Sequence, residues 1–162
     1  MTFFKYCFTL VIFFSLNSCT NLDVNLPSYD ELLRAETGQN GRACVRQNTI
    51  RGYGMLEDDV VSINATGKNR YYLVTTLFQC QSLQTTFAAG FKGDFFELCG
   101  GSRDKILTSE ESCPIKSIFE FESREAAFSA FDNVKKVRQD LRTEAKEKAK
   151  QLKDNNNDNP AK

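Results

Sequence analysis

The sequence predicts a mainly β protein, α+β overall: a small antiparallel sandwich or barrel-like domain followed by a C-terminal amphipathic helix. Three observations carry this. Between residues 43 and 121, short β-branched and aromatic runs are punctuated by Gly90, Gly93, Gly100, Gly101 and Pro114, the rhythm of an all-β domain. After residue 122 the period changes, and Phe128, Phe131, Val134, Val137, Leu141, Ala145, Ala149 and Leu152 recur every three or four residues, as on one helical face. Cys44, Cys80, Cys99 and Cys113 are spread through the β region, as in exported domains stapled by disulfides.

Composition narrows the chemistry. The chain has 162 residues, with 21 basic and 21 acidic side chains, no histidine and no tryptophan. That length suits one domain. Without histidine there is no Ser-His-Asp triad, no Cys-His pair, no His-bearing zinc site and no imidazole switch. The balanced charge argues against a general nucleic-acid binder, which is normally basic.

Residues 1–18 read as a signal peptide. Lys5 gives a positive start, and residues 6–14 form an uncharged apolar run, shorter than the roughly 20 residues that span a bilayer. Leu16-Asn17-Ser18-Cys19 resembles a bacterial lipobox, with an aliphatic residue, a small residue and then cysteine. The resemblance implies cleavage before Cys19 and lipid attachment there, with the membrane as partner through that lipid. More than one acyl chain is needed for stable anchoring. Thr20 stands where an aspartate would retain such a lipoprotein in the inner membrane. The expected location is therefore the outer membrane, facing the periplasm.

Residues 19–41 read as a polar tether. Within it Ser28 and Glu31 fit a capping box ahead of Leu32, Leu33 and Ala35, so one or two helical turns follow Pro27, docked or frayed. Residues 42–121 form the β domain, with strands expected at 43–50, 53–57, 60–65, 70–76, 85–91, 95–98, 105–108 and 115–121. Those at 60–65 and 70–76 flank Gly67-Lys68-Asn69 and read as a hairpin. Residues 122–153 form the helix, capped by Ser123. Its first half, with Phe128 and Phe131, is expected to pack on the sheet. Residues 154–162 read as a disordered polar tail.

Setting aside Cys7 and Cys19 leaves four cysteines, an even number that implies disulfides. Three pairings are open. The nested one, Cys44–Cys113 with Cys80–Cys99, is favoured because it joins the first and last strands of a closed sheet. No Cys-x-x-Cys pair occurs, which argues against a metal or redox centre.

The remaining candidate chemistry is thin. Glu57-Asp58-Asp59 and the pair Asp94 and Glu97 supply carboxylates of the kind used in glycoside hydrolysis or calcium binding. There is no Asp-x-Asp-x-Asp-Gly loop, and the first cluster reads as an acidic turn. Arg46, Arg51, Arg70 and Arg103 read as solvated or ion-paired rather than as one anion site. The aromatics Tyr53, Tyr71, Tyr72, Phe87, Phe91, Phe95 and Phe96 read mostly as core, and any exposed residue of them marks a partner surface. Residues 135–153 hold eight basic and three acidic side chains, a net of +5, against 11 basic and 16 acidic, a net of −5, over 19–134. Such a helix can dock on the acidic domain, self-associate or lie on a membrane.

Cys44-Val45-Arg46, Leu56-Glu57-Asp58, Tyr71-Tyr72-Leu73-Val74, Cys80-Gln81-Ser82-Leu83, Asp104-Lys105-Ile106 and Cys113-Pro114-Ile115 together resemble a family of small gammaproteobacterial lipoproteins of unknown function, over residues 42–121. The resemblance implies an exported, lipid-anchored β domain, provides no catalytic residue, and leaves the helix after residue 122 as an extension. The expected role is a non-catalytic binding or interaction module of the cell envelope. It has an envelope protein or polymer as partner, and no metal, cofactor, nucleic acid or small-molecule substrate. The alternatives are a carboxylate-dependent hydrolase and a structural lipoprotein that self-associates through its helix.

Overall fold

The computed structural model describes residues 26–67, 70–101 and 103–157. The expected signal peptide, its cleavage site and Cys19 lie outside these residues. The elements run α1 (Tyr29–Thr37), β1 (Cys44–Arg46), a 3-10 turn (Gln47–Thr49), β2 (Ile50–Glu57), β3 (Val60–Ala65), β4 (Tyr71–Thr76), α2 (Ser82–Thr85), β5 (Gly90–Lys92), a 3-10 turn (Asp94–Phe96), β6 (Glu97–Cys99), β7 (Lys105–Leu107), β8 (Ser112–Phe121) and α3 (Arg124–Asn157). Residues 26–144 form one compact unit, and residues from Ala145 onward group separately.

The expected mainly β fold with a C-terminal helix is present, as a curled antiparallel half-barrel. Six strands pair in the order β2-β3-β4-β8-β7-β5, and β1 pairs with β6 in a separate two-stranded ribbon. The hairpin at 60–65 and 70–76 is there, with Ile63 opposite Tyr72 and Val61 opposite Val74.

β4 lies at the centre and explains its own sequence. Tyr72 and Val74 point to one core, with Val61, Ile63, Leu98, Ile106, Ile115 and Ile118. Leu73 points the other way, to Phe119, Phe121, Leu33, Ala127, Phe131 and Val134. Successive strand residues face opposite sides, so a strand covered on both faces reads as a nearly continuous apolar run. The β1–β6 ribbon contributes to the first core, and α1 and the first half of α3 cover the second.

α1 is a docked element, so the segment after Leu26 belongs to the domain rather than to a tether. The capping box forms as expected, with the Ser28 hydroxyl accepting from the Glu31 N–H at 3.3 Å and the Glu31 carboxylate accepting from the Ser28 N–H at 2.9 Å. Gly38 ends the helix in the left-handed region at φ 67°, where a residue with a Cβ is strained. At Gly41, also left-handed at φ 70°, an added Cβ would stand 2.7 Å from the Ser117 Cβ. That glycine lets the chain leaving α1 cross β8.

Charge completes the docking. Asp30 is buried and accepts from the Arg34 Nε at 3.1 Å and from the Thr75 hydroxyl at 3.3 Å, with the Lys116 Nζ at 3.3 Å. Lys135 on α3 meets Glu57 at 2.7 Å. Arg138 lies 4.6 Å over the Tyr29 ring and donates to the Pro27 carbonyl at 3.2 Å. Of the readings open to the basic helix, its portion within the compact unit takes the dock on the acidic domain. α3 continues to Asn157, past the expected end at 153, so residues 154–157 are helical rather than tail.

The nested disulfide pairing is wrong. The bonds are Cys44–Cys99 and Cys80–Cys113. Cys44 sits directly opposite Cys99 in the β1–β6 register. The expected pairing assumed that the first strand closes the sheet against the last, whereas the outer strands are β2 and β5. Cys80 lies in the loop after β4, where its N–H donates to the Asp58 carbonyl at 2.7 Å, beside the start of β8 and Cys113.

Three expected strands are shortened or displaced. The run 43–50 keeps strand only over Cys44–Arg46 before its 3-10 turn. The run 85–91 yields Gly90–Lys92, after a helical turn at Ser82–Thr85. The run 95–98 gives way to a 3-10 turn over Asp94–Phe96 followed by strand Glu97–Cys99.

Candidate functional site

A half-barrel leaves two outer strands, and here they approach one another. Tyr53 of β2 and Phe91 of β5 meet edge to face, their ring centroids 6.1 Å apart. The Tyr53 hydroxyl also donates to the Thr86 carbonyl at 3.4 Å. Around this contact opens a groove of about 760 Å³, walled by β2 from Ile50 to Met55 and by residues 83–91. This volume is in the range of ligand-binding clefts.

Among the described residues β2 pairs only with β3, so its other edge has no strand partner among them. Gly52 and Gly54 add no side chain to that wall on either side of Tyr53, and a Cβ at Gly52 would meet nothing within 4 Å. The opposite wall is small and apolar at Ala88 and Ala89. At the rim Phe87 is 106% exposed. Such a ring in water is unfavourable by roughly 1.5–3 kcal/mol relative to burial. Among the described residues Arg51 is the one charged side chain lining the groove, and its cation complements a carboxylate.

The sequence named Tyr53, Phe87 and Phe91 among its aromatics but did not assemble them. The two glycines flanking Tyr53 within one strand and the small run Ala88-Ala89 were the available signals, since glycine inside a strand marks close approach of another backbone.

A second hollow, of about 490 Å³, lies beside the β5–β6 turn and is lined by Arg42, Asp94, Phe95, Glu97, Arg103 and Asp104 among others. Its turn is unusual. Phe95 and Phe96 both take left-handed backbone, at φ 53° and 61°, and are 96% and 80% exposed. For a residue with a Cβ this conformation costs about 1–2 kcal/mol.

The other sequence candidates are dispersed. Asp58 stands on the β2–β3 turn, where its carboxylate accepts from Gln84 at 2.8 Å, while Asp94 opens the separate β5–β6 turn. Asp59 is held above the usual carboxylate range. Burial is the main cause; Arg138 opposes it, while Glu57 and Asp58 add to the rise. Arg46 pairs with Glu97 at 3.5 Å and Arg70 with Glu120 at 3.8 Å, so the arginines form no single anion patch. Cys44 and Cys99 lie near Glu97, and Cys80 and Cys113 near Glu111, but disulfide bonds occupy all four sulfurs. Glu111 is further engaged by the Ser82 N–H and hydroxyl, at 2.8 and 2.6 Å. Among the described residues no helix is long and apolar enough to cross a membrane.

No curated protein and no solved structure matches the chain. A family profile does, over residues 2–151. That span is wider than the resemblance over 42–121 and takes in α1 and most of α3, so the helix is part of the family pattern rather than an extension. Over most of its length the chain belongs to the family of unknown function DUF6491.

Proposed function

We propose that this protein is a non-catalytic binding module of the cell envelope, a lipoprotein of the gammaproteobacterial kind anchored through Cys19 on the periplasmic face of the outer membrane. Its binding surface is the groove between β2 and residues 83–91. One observation carries the reading: two outer strands of a half-barrel flank a groove of mixed polar and apolar lining whose rim holds a fully exposed Phe87. An extended segment of an envelope protein fits this shape. It adds along the β2 edge, sets an apolar side chain among Tyr53, Phe87 and Phe91, and brings a carboxylate to Arg51. Strand addition of this kind takes affinity from main-chain hydrogen bonds and specificity from the pockets between them.

The test is site-specific crosslinking. A photoreactive phenylalanine at position 87 is expected to capture a discrete partner from detergent-solubilised envelope. A probe at Asn133 on α3 should not. Gly52→Pro and Arg51→Glu should each abolish the adduct while the melting curve stays cooperative. Adducts equal at both positions, or none at position 87, would overturn the reading.

A further inference from the structure

The turn between β5 and β6 joins three features that a simple reversal of the chain does not require. Left-handed backbone is ordinarily given to glycine or asparagine, yet two phenylalanines hold it in succession. Both rings are directed into solvent rather than into either core. The strained turn is also braced. The Glu97 N–H donates to the Asp94 carbonyl, and the chain then enters the β1–β6 ribbon, fixed by the Cys44–Cys99 bond.

The third feature is charge. Lys92 and Lys105 stand directly opposite one another in the β5–β7 register, and both are exposed. Like charges so placed are unfavourable to the sheet itself. Arg42 and Arg103, also exposed, line the same hollow as Phe95. Acids are present there too, but two are committed. Glu97 pairs with Arg46 at 3.5 Å, and buried Asp104 accepts from the Cys99 N–H. Asp94 is left against four cations.

We propose that this turn is a membrane-contact element, in which Phe95 and Phe96 enter the surface of an anionic bilayer and Lys92, Lys105 and Arg103 meet its headgroups. Exposed aromatic rings framed by cations are the chemistry of interfacial attachment. The inference is independent of the groove, which uses neither these residues nor this turn.

The absence of tryptophan from the chain makes the test local. Phe95→Trp and Phe96→Trp, made singly in the full chain, each give a single tryptophan that can be excited apart from the five tyrosines. Vesicles of phosphatidylglycerol and phosphatidylethanolamine, and phosphatidylcholine vesicles for comparison, all carry brominated acyl chains. Both variants are expected to shift blue and be quenched in the anionic vesicles, while Phe87→Trp at the groove is not. In the Phe96→Trp background, Lys92→Gln and Lys105→Gln should each weaken the titration about fivefold. The readout follows the turn rather than retention, so it holds whether or not Cys19 carries a lipid. Should Phe95→Trp unfold the turn, as judged by its melting curve, Phe96→Trp and the lysine variants decide. Emission at position 96 unchanged by either vesicle, quenching equal in phosphatidylcholine, or a shift only when a solubilised envelope protein is added would each overturn the proposal.

Discussion

The rings of Tyr53 and Phe91 meet at 78° across the gap between β2 and β5, the two ends of a six-strand order. An open sheet would hold these strands far apart, so the contact records how far the sheet has curled. Edge-to-face pairs contribute about 0.5–1.5 kcal/mol beyond burial. Tyr53→Leu and Phe91→Leu are expected to show a coupling of that size in a double-mutant cycle read by urea unfolding. Additive effects would mean that the rim of the groove is not held by these rings.

The disulfides give a second prediction. The bonds close sequence separations of 55 and 33 residues, for which loop entropy implies roughly 4 kcal/mol each. Peptide mapping without reduction should recover Cys44 with Cys99 and Cys80 with Cys113, and no peptide joining Cys44 to Cys113. Replacing both members of either pair by serine should lower stability by up to that amount in urea.

How much of this was legible in the sequence depends on how local each signal is. β4 announced itself because both faces of Tyr71–Thr76 are apolar, and α3 because its stripe needs only its own period. Pairing between distant strands leaves no local mark. Nothing in Cys44-Val45-Arg46 says that its partner is Glu97-Leu98-Cys99 rather than β8, and the disulfide assignment failed with that strand assignment. Phe95 and Phe96 misled for a related reason. Aromatic residues favour strands on average, but that preference reflects packing on a sheet, and these two rings stand exposed. The groove belongs to neither β2 nor residues 83–91 alone, so its parts could be read and its assembly could not.

Anchoring is tested by intact mass. The chain purified from membranes is expected to begin at Cys19 with added acyl mass, and Cys19→Ala should lose both that mass and membrane retention. Retention without acylation would point instead to an uncleaved signal segment or to the β5–β6 turn as the attachment.

The last prediction sets two aspartates against each other. Burial alone would raise the pKa of Asp30, but hydrogen bonds from Ser117 and Arg34 and the charges of Lys116 and Arg34 outweigh it, holding the carboxyl below its ordinary 3.8. A carboxylate whose folded pKa is depressed adds stability above its unfolded pKa, about 4, and that stability is lost as pH falls through the folded value. Asp59 has the opposite sign, raised above 3.8 chiefly by burial. Its ionised form opposes folding at neutral pH, and the opposition is relieved as pH falls through the raised folded value towards about 4. Asp30→Asn is therefore expected to lower stability by about 2 kcal/mol at pH 7, with the loss shrinking below pH 4. Asp59→Asn should raise stability by a few tenths to about 1 kcal/mol at pH 7, with the gain fading as pH approaches 4. Urea unfolding of both variants across about pH 3.5 to 7 separates the two. A loss from Asp59→Asn at neutral pH would mean that Arg138, and not burial, governs that carboxylate. In that case the β2–β3 turn would be held to α3 by an ion pair at Asp59 as well as by the bond from Lys135 to Glu57.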